Sequence, residues 1–205
     1  MSAAGKLKLY DFKSSPNCQR VKVVLEEKKI PYEITPIDLR KNEQKKPEFL
    51  DLNPYGKVPV IVDGDTVLYE SCIINEYLEE KYPEPALMPK DPVQRAKIRL
   101  LIDYALNLLN PPYQKIRGQM VKDEKERDKE ALESAKGEVR NLLKRLEHEI
   151  GSQTYLAGDF SLLDAAVIPR FLRLEGWGLL PDASLPRLTK WLQTIKDRPS
   201  VQVII

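Results

Sequence analysis

The sequence has few residues of the kinds that form disulfides or bind transition metals. Its 205 residues include two cysteines, Cys18 and Cys72, and one histidine, His148. The cysteines lack C-x-x-C spacing and have no metal-ligating neighbours, so neither a disulfide framework nor a metal site is expected. This cysteine usage is typical of a reducing compartment and predicts a cytoplasmic location. We interpret His148 as a solvated residue, because it lies in a segment dense in charge.

Long apolar runs and an excess of charge are also absent. No stretch approaches about 18 consecutive apolar residues, so no transmembrane helix is expected. The first residues, Met-Ser-Ala-Ala-Gly-Lys, lack the hydrophobic core of a signal peptide. With 33 basic and 31 acidic side chains, the formal net charge is only +2 and gives no basic footprint for nucleic acid. We therefore expect neither a membrane nor a nucleic acid as a partner.

The pattern of the chain changes at a proline-rich segment. Four prolines fall between Tyr82 and Pro92, a composition typical of a linker. Before it, a strand pattern over 6–12, a helix that begins at Pro16 and a strand pattern over 32–38 predict a βαβ unit. After it, the pattern is helical throughout. The predicted organisation is an α/β domain (1–82), a linker (83–92) and an all-α helical domain (93–205).

Residues 53–82 predict a β-hairpin followed by a helix. Two short runs rich in β-branched residues flank a tight-turn signal at 63–65. Glu70 and Ser71 then precede apolar residues in helical spacing, so we expect the helix to begin there.

Two features of this hairpin and helix indicate a ligand. Pro59 lies within a strand pattern, where proline is tolerated only at an edge, a bulge or a special turn. A proline in such a place is a candidate for a cis peptide bond, which would leave the backbone of Val58 free to pair with another molecule. The Ser71 hydroxyl and the free N–H groups of the helix start suit an anionic group. Together they indicate a site for a small peptide-like ligand.

The helical half contains long amphipathic segments and one capping signal. The pattern over 93–109 is interrupted by Asn110-Pro111-Pro112, after which we expect the helix to resume. Residues 124–150 place dense mixed charge over an apolar stripe, which we interpret as a solvated helix packed on a core. Ser161 and Asp164 form a capping signal before an apolar run, and we assign it a structural role.

Four segments together resemble the cytosolic glutathione transferases. They are SSPNCQRV near the start, NPYGKVPVI with its Val-Pro step, YESCIINEYLEEKYP after the turn and FSLLDAAVIPR in the helical half. The resemblance covers nearly the whole chain. It implies a thioredoxin-like first domain, a homodimer, and glutathione bound along the first domain as a co-substrate, with no metal or prosthetic group.

The resemblance also implies which residues bind glutathione. The backbone of Val58, ahead of a cis Pro59, would pair with the cysteinyl part. Ser71 and its N–H would take the α-carboxylate of the γ-glutamyl end, and Glu70 would take its ammonium group. The alternatives are an architectural role for Pro59 and plain helix capping by Glu70 and Ser71.

Three further residues match positions that contact glutathione in some classes of the family. Lys45, with Gln44 beside it, would reach the glycyl carboxylate, and Lys57 would supply another polar contact. The alternative for Lys45 is an ordinary surface lysine within the basic stretch that runs from Lys41 to Lys46.

The resemblance implies a serine as the group that activates the thiol. In this family a hydrogen-bond donor beside a helix N-terminus lowers the pKa of the glutathione thiol. The serine-type classes carry this donor in a pattern like S-P-x-x-x-R, which residues 15–20 match. Ser15 is therefore the implied donor, and Ser14 is the second candidate for this role. The alternatives are that Ser15 only caps the helix, or that Tyr10 on the first strand is the donor.

The two cysteines allow other interpretations. A cysteine in the first turn of a helix can be acidic and reactive, as in the thiol-transferring branches of the family, and Cys18 lies in such a turn. Those branches, however, carry the cysteine where Ser15 stands here. The other interpretation of Cys18 is a buried side chain packed under the helix. Cys72 faces either the core or a dimer contact, and we assign it no chemistry.

The family geometry implies an electrophile pocket between the two domains. It would be lined by the loop at 13–14, by Tyr104, Leu108 and Tyr113 of the first long helix, and by Trp177. Aromatic residues at helical spacing also occur in hydrophobic cores, and that is the alternative for each of them.

The predicted function is a glutathione transferase that adds the glutathione thiolate to a hydrophobic electrophile. One alternative is thiol transfer or peroxide reduction at Cys18. Another is an isomerase of the maleylacetoacetate type, whose Ser-Ser-Cys start is interrupted here by Pro16 and Asn17. A third is a non-enzymatic adaptor, like the stringent-starvation proteins that bind RNA polymerase.

Overall fold

The computed structural model describes residues 6–205 and places them in two compact units. The first residues, where the sequence predicts no signal peptide, lie outside the described part. The first unit consists of residues 6–87 together with Arg198–Ile205, and the second unit is Met88–Asp197. No helix among the described residues is both long enough and apolar enough to span a membrane.

Strands are confined to the first unit within the described chain, and helices occur in both units. The strands are β1 (Leu7–Asp11), β2 (Tyr32–Pro36), β3 (Val60–Asp63) and β4 (Thr66–Tyr69). The helices are α1 (Pro16–Glu27), α2 (Pro47–Leu50), α3 (Ser71–Lys81), α4 (Pro92–Asp103), α5 (Asn110–Met120), α6 (Lys129–Ile150), α7 (Leu162–Gly176), α8 (Pro186–Lys196) and α9 (Pro199–Gln202). Short 3-10 turns lie at Leu39–Lys41, Glu43–Lys45 and Glu124–Glu126, and a π-helical turn lies at Tyr104–Leu108.

The four strands form one sheet in the order β2-β1-β3-β4. β1 and β2 are parallel, whereas β3 is antiparallel to both β1 and β4. Parallel neighbouring strands need a crossover connection, and α1 provides it between β1 and β2. The antiparallel strands β3 and β4 are joined by the tight turn at 63–65. The predicted βαβ unit and hairpin are therefore confirmed, and the unit has the thioredoxin-like α/β fold that the sequence predicts.

The core of the first unit forms where α1 packs on α3 and α3 packs on β4. Leu9, Val24, Ile61 and Ile74 are completely buried there. Full burial of one such side chain contributes about 1.5–3 kcal/mol. The sheet and the starts of both helices, where the candidate site residues lie, are thus held on a rigid base.

A buried ion pair holds the proline-rich segment against the first unit. Lys28, at the end of α1, lies 2.6 Å from a carboxylate oxygen of Glu79 in α3. Its Nζ also donates to the carbonyls of Tyr82 and Pro85, at 2.7 and 2.9 Å, and Glu79 accepts from the N–H of Leu87. Every group of this cluster is paired, as burial of charge requires.

The structure differs from the predicted domain limits at the C-terminal end. Residues 198–205 were predicted to belong to the helical domain, but Arg198–Ile205 pack with the first unit. Arg198 Nη2 lies 2.7 Å from Glu27 at the end of α1, and Ser200 donates to the same carboxylate. Gln19 donates to the carbonyl of Ile204 at 3.2 Å. Contacts more than 170 residues apart in sequence decide this placement, and periodicity does not reveal them.

The first long helix of the second unit changes its winding before the predicted interruption. The π-helical turn Tyr104–Leu108 follows α4, and α5 begins with Asn110 and two prolines. Because proline has no N–H, the preceding carbonyls lose their usual helical donors. Arg170 of α7 donates to the carbonyl of Leu106 at 2.9 Å and to Asn110 Oδ1 at 3.2 Å. The break in the helix is thus held by a side chain from another helix.

The start of α7 organises the core of the second unit. Ser161 and Asp164 form the predicted capping box, in which Asp164 accepts from the N–H and the hydroxyl of Ser161, each at 2.9 Å. The same carboxylate accepts from the N–H of Leu156 at 3.1 Å and from Trp191 Nε1 at 2.8 Å. Burial raises the pKa of Asp164, and these hydrogen bonds act in the opposite direction. The predicted structural role of this motif is confirmed.

The predicted apolar stripe of α6 also packs on this core. Its buried members recur at helical spacing: Leu132, Ala135, Val139, Leu143, Leu146 and Ile150. The charged residues between them are mostly exposed, and so is His148, as its interpretation as a solvated residue requires. The helix is therefore amphipathic, with its charge in solvent.

Candidate functional site

Ser15 lies at the start of α1, where the sequence places the thiol-activating donor. It is the N-cap residue, and its Oγ accepts from the N–H of Cys18 at 3.4 Å. The backbone N–H of Ser15 donates to the carbonyl of Phe12 at 2.7 Å, which fixes the turn ahead of the helix. A hydroxyl that accepts with a lone pair still has its own proton to donate. Capping and donation to a ligand are therefore compatible. Ser14 lies exposed in the preceding loop.

Cys18 is completely buried beneath the helix start. It packs in a cluster with Phe49, Val58 and Val60. Burial raises the pKa of its thiol to about 12, against the opposing effects of the Phe12 backbone and Ser15. Since the nucleophile in thiol chemistry is the thiolate, this environment opposes the alternative mechanism at Cys18. The side chain is part of the core.

The Val58–Pro59 peptide bond is cis, as the position of the proline in the strand pattern predicts. β3 begins at Val60, so Val58 lies outside the strand ladder. The preceding loop is held by Asn53, which is buried: its Nδ2 donates to the carbonyl of Lys57 at 2.7 Å, and its Oδ1 accepts from the N–H of Tyr55 at 3.0 Å. No role for Asn53 was predicted from the sequence. An asparagine ahead of a proline in a loop is the signal that could have suggested one.

The start of α3 has unusual backbone geometry. Glu70 is its N-cap residue with φ 67° and ψ 105°, a conformation that a non-glycine residue rarely adopts. The Glu70 side chain is exposed and makes no capping hydrogen bond to the described residues. The first N–H groups of the helix are therefore not capped by it, which argues against plain helix capping. Backbone strain of this kind occurs at functional sites and costs about 1–3 kcal/mol.

Arg20 connects the starts of α1 and α3. Its guanidinium is buried, with 2% of the residue exposed, and Nη1 donates to Ser71 Oγ at 3.3 Å and to Cys72 Sγ at 3.6 Å. Burial lowers the pKa of Arg20, and the neighbouring Cys72 acts in the opposite direction. Because Ser71 Oγ accepts from the arginine, the Ser71 proton is left to donate to a ligand. From the sequence, Arg20 is only the last residue of the S-P-x-x-x-R pattern, and no role was predicted for it.

Gln44 and Lys45 lie next to the loop that precedes Val58. Lys45 Nζ lies 3.5 Å from the carbonyl of Tyr55. Gly56 has φ +58°, and a Cβ there would come within 2.8 Å of the Gln44 carbonyl and of Lys45 Nζ. A glycine is therefore needed for this close approach. Lys57, in the same loop, is exposed.

The predicted electrophile-pocket residues of the second unit differ in their surroundings. Leu108 is 53% exposed, and Tyr104 is half-buried with its hydroxyl donating to the carbonyl of Leu142 at 3.0 Å. Tyr113 is buried; its ring centre lies 5.0 Å from that of Trp177, and its hydroxyl accepts from Arg173 at 3.1 Å. Tyr113 and Trp177 are thus brought together.

Two other sequence candidates lie beside residues of the site: Tyr10 packs against the cluster that contains Cys18 and Val58, and Cys72 contacts Arg20. Tyr10 is the fourth of the five residues of β1, and its ring makes an edge contact with that of Phe49, with centroids 6.0 Å apart. Cys72 follows Ser71 in α3 and is half-buried. Among residues 6–205 no group of three or more His, Cys, Asp or Glu side chains could hold a metal ion.

Comparison with known proteins identifies the family of this chain. The family described as glutathione S-transferase, N-terminal domain, matches residues 9–86, and the C-terminal domain family matches residues 101–199. A glutathione S-transferase 3 from Zea mays is 33% identical over 204 residues, which cover 96% of this chain and 91% of the relative. The chain belongs to the glutathione S-transferase family.

Two further proteins are similar to this chain. A stringent starvation protein A homolog from Haemophilus influenzae is 37% identical over 172 residues, which cover 83% of this chain and 76% of the relative. A solved glutathione transferase from Burkholderia graminis is 27% identical and superposes with a TM-score of 0.86, over 97% of this chain and 87% of its own. That transferase was solved with two glutathione molecules bound per subunit.

Proposed function

We propose that this chain is a glutathione transferase that binds glutathione beside Val58 and at the start of α3, and that activates the thiol with Ser15. The observation that carries the proposal is the open start of α3. Glu70 is held at positive φ there, its side chain makes no capping bond to the described residues, and Ser71 retains a proton to donate. A helix start built in this way suits an anionic group.

The γ-glutamyl end of glutathione supplies such a group. Its α-carboxylate accepts from the hydroxyl and the N–H of Ser71, and its ammonium group pairs with the exposed carboxylate of Glu70. The cysteinyl backbone pairs with Val58, which lies outside the strand ladder. The glycyl carboxylate is met by Lys45, with Gln44 and Lys57 as further polar contacts.

Ser15 stabilises the thiolate without accepting its proton. The hydroxyl donates a hydrogen bond to the sulfur, and the N–H groups at the start of α1 add positive potential. The thiol proton leaves to solvent, and the sulfur lone pair forms the S–C bond to the electrophilic carbon. The displaced electron pair departs with the leaving group, or remains on the electrophile when the reaction is an addition.

The electrophile is proposed to be hydrophobic. From the helical unit we propose Leu108, an exposed apolar side chain, and Tyr104 and Tyr113 as lining residues. A homodimer in the cytoplasm that acts in detoxification completes the proposal, as is typical of the family.

Calorimetry with glutathione tests the proposed site. We expect saturable binding by the wild-type chain and weaker binding by Ser71→Ala. The stringent starvation protein A homolog at 37% identity supports a second candidate function, a non-enzymatic adaptor of the same fold. Absence of binding at millimolar glutathione would overturn the transferase proposal and favour the adaptor.

A further inference from the structure

Cys72 is the cysteine of this chain that reagents can reach. The sequence has two cysteines. Cys18 has no exposed surface, whereas Cys72 is half-buried in the first turn of α3. Cys72 also directly follows Ser71, to which the proposed function assigns the glutathione α-carboxylate. A change at the Cys72 sulfur therefore takes place beside that subsite.

The buried guanidinium of Arg20 is directed at the Cys72 sulfur and is incompletely paired. Nη1 lies 3.6 Å from Sγ, while Nε and Nη2 have no hydrogen-bond partner among the described residues. Glu70 acts on the guanidinium electrostatically but forms no hydrogen bond with it in the described chain. A buried cation in this state lacks a compensating anion. An anionic sulfur at Cys72 would supply one, because it carries its charge at hydrogen-bond distance from Nη1.

We propose that Cys72 is a redox-sensitive thiol that takes a glutathionyl group from glutathione disulfide, and that this adduct closes the adjacent γ-glutamyl subsite. The closure part of the proposal rests on the proposed function, because it assumes that glutathione binds at Ser71. Formation of the adduct does not depend on that assumption.

The reaction is a thiol–disulfide exchange and needs no further oxidant. The Cys72 thiolate attacks one sulfur of glutathione disulfide, a new S–S bond forms to Cys72, and the original S–S bond breaks. The displaced glutathione leaves as its thiolate and takes up the proton that Cys72 released. A second thiol reverses the reaction by the same steps.

The adduct changes the subsite through charge and through Arg20. A glutathionyl group brings two carboxylates and one ammonium group to a position one residue from Ser71. Its net negative charge repels an incoming α-carboxylate. Its carboxylates also compete with Ser71 Oγ for the hydrogen bond that Arg20 Nη1 donates. We therefore expect weaker binding of glutathione when Cys72 is modified.

The test combines intact mass with ligand binding on the full chain. Wild type, Cys72→Ser and Cys18→Ala are incubated with glutathione disulfide, the excess is removed, and binding of S-methylglutathione, which has no free thiol, is measured by calorimetry. We expect a mass gain of one glutathionyl group in wild type and Cys18→Ala and none in Cys72→Ser. The affinity of the modified chains is expected to fall by about tenfold or more, and to return after treatment with dithiothreitol.

Each outcome decides one part of the proposal. Absence of the adduct in wild type, or its presence on Cys18, would overturn Cys72 as the redox site. An adduct on Cys72 with unchanged affinity would overturn closure of the subsite. If the reduced chain does not bind S-methylglutathione at all, the proposed function and the closure both fail, while the mass gain alone still decides the modification.

Arg20 variants test the role of the guanidinium. We expect Arg20→Gln to slow adduct formation by about tenfold, because the compensating charge is lost, and Arg20→Lys to retain most of the rate. Equal rates of adduct formation in wild type and in a folded Arg20→Gln would show that Arg20 does not assist the reaction at Cys72. Should Arg20→Gln fail to fold, the comparison of wild type with Cys72→Ser still decides the site.

Discussion

The starts of α3 and α7 each combine a serine with an acidic residue, but they are built in opposite ways. In α7 the serine, Ser161, is the N-cap residue, whereas in α3 the acidic residue, Glu70, is the N-cap residue. At α7 the Asp164 carboxylate is completely buried and accepts from the backbone and hydroxyl of Ser161, from Leu156 and from Trp191. At α3 the Glu70 side chain is exposed and its backbone is held at positive φ. The N–H groups at the start of α7 are thus capped by the protein itself, whereas the start of α3 is left without a side-chain cap.

This difference separates a structural motif at α7 from the proposed glutathione-binding start of α3. A closed start satisfies its polar groups internally, so it contributes to stability and has nothing left for a ligand. An open start retains donors for an anion but leaves backbone strain uncompensated in the free protein. Mutations at the two starts should therefore separate stability from glutathione binding.

The largest expected effect is the loss of stability when the capping carboxylate of α7 is removed. Asp164→Ala should lower the free energy of unfolding by about 3 kcal/mol or more, because several buried donors lose their acceptor together. Urea denaturation followed by circular dichroism measures this. Asp164→Asn, which keeps one acceptor oxygen, is the matched control and should lose less. A loss below about 1 kcal/mol in Asp164→Ala would show that the capping box is not central to the second unit.

The opposite pattern is expected for Ser71. Ser71→Ala should weaken glutathione binding by about tenfold, or about 1.4 kcal/mol, since a hydrogen bond to a charged carboxylate is lost. The free energy of unfolding should fall by less than in Asp164→Ala, because Arg20 Nη1 loses one acceptor but keeps Cys72 Sγ at 3.6 Å. Calorimetry and urea denaturation on the same preparation measure both quantities. Unchanged affinity together with a large loss of stability would make the start of α3 a structural motif like that of α7.

A smaller effect is expected where strain and binding oppose each other. Glu70→Gly should raise the free energy of unfolding by about 1 kcal/mol, because glycine adopts positive φ without a Cβ clash, and should weaken glutathione binding by removing the carboxylate. Lys29 also has a positive φ of 54° and is exposed. Lys29→Gly is therefore the control for the backbone effect and should leave affinity unchanged. If both variants gain stability and both bind glutathione as tightly as wild type, the strained backbone and the carboxylate of Glu70 have no role in binding.

Local features of this fold could be predicted from sequence, and long-range contacts could not. The hairpin, the cis bond before Pro59, the cap at Ser15 and the box at Ser161 depend on residues a few positions apart, so their patterns are visible in sequence. The pair of Arg20 with Ser71 joins residues 51 positions apart, and no spacing rule reports it.

The same reason explains the corrected domain limit and the incomplete view of the site. Arg198 was assigned to the helical domain by its neighbours in sequence, whereas its partner Glu27 lies at the end of α1. In the sequence Gly56 resembles an ordinary turn glycine, whereas the structure shows that a Cβ there would come within 2.8 Å of Lys45 Nζ. The family resemblance implies the candidate ligand-binding residues, and the structure shows which groups hold them in place.

Ser15 is proposed to stabilise the thiolate of bound glutathione. The most direct measurement is a pH titration of thiolate absorbance on wild type, Ser15→Ala and Cys18→Ala at saturating glutathione. We predict a midpoint below that of free glutathione in wild type and Cys18→Ala, and a midpoint about one to two pH units higher in Ser15→Ala, equivalent to loss of one hydrogen bond to a charged sulfur. A midpoint that is the same in Ser15→Ala as in wild type, or that moves only in Cys18→Ala, would contradict the account.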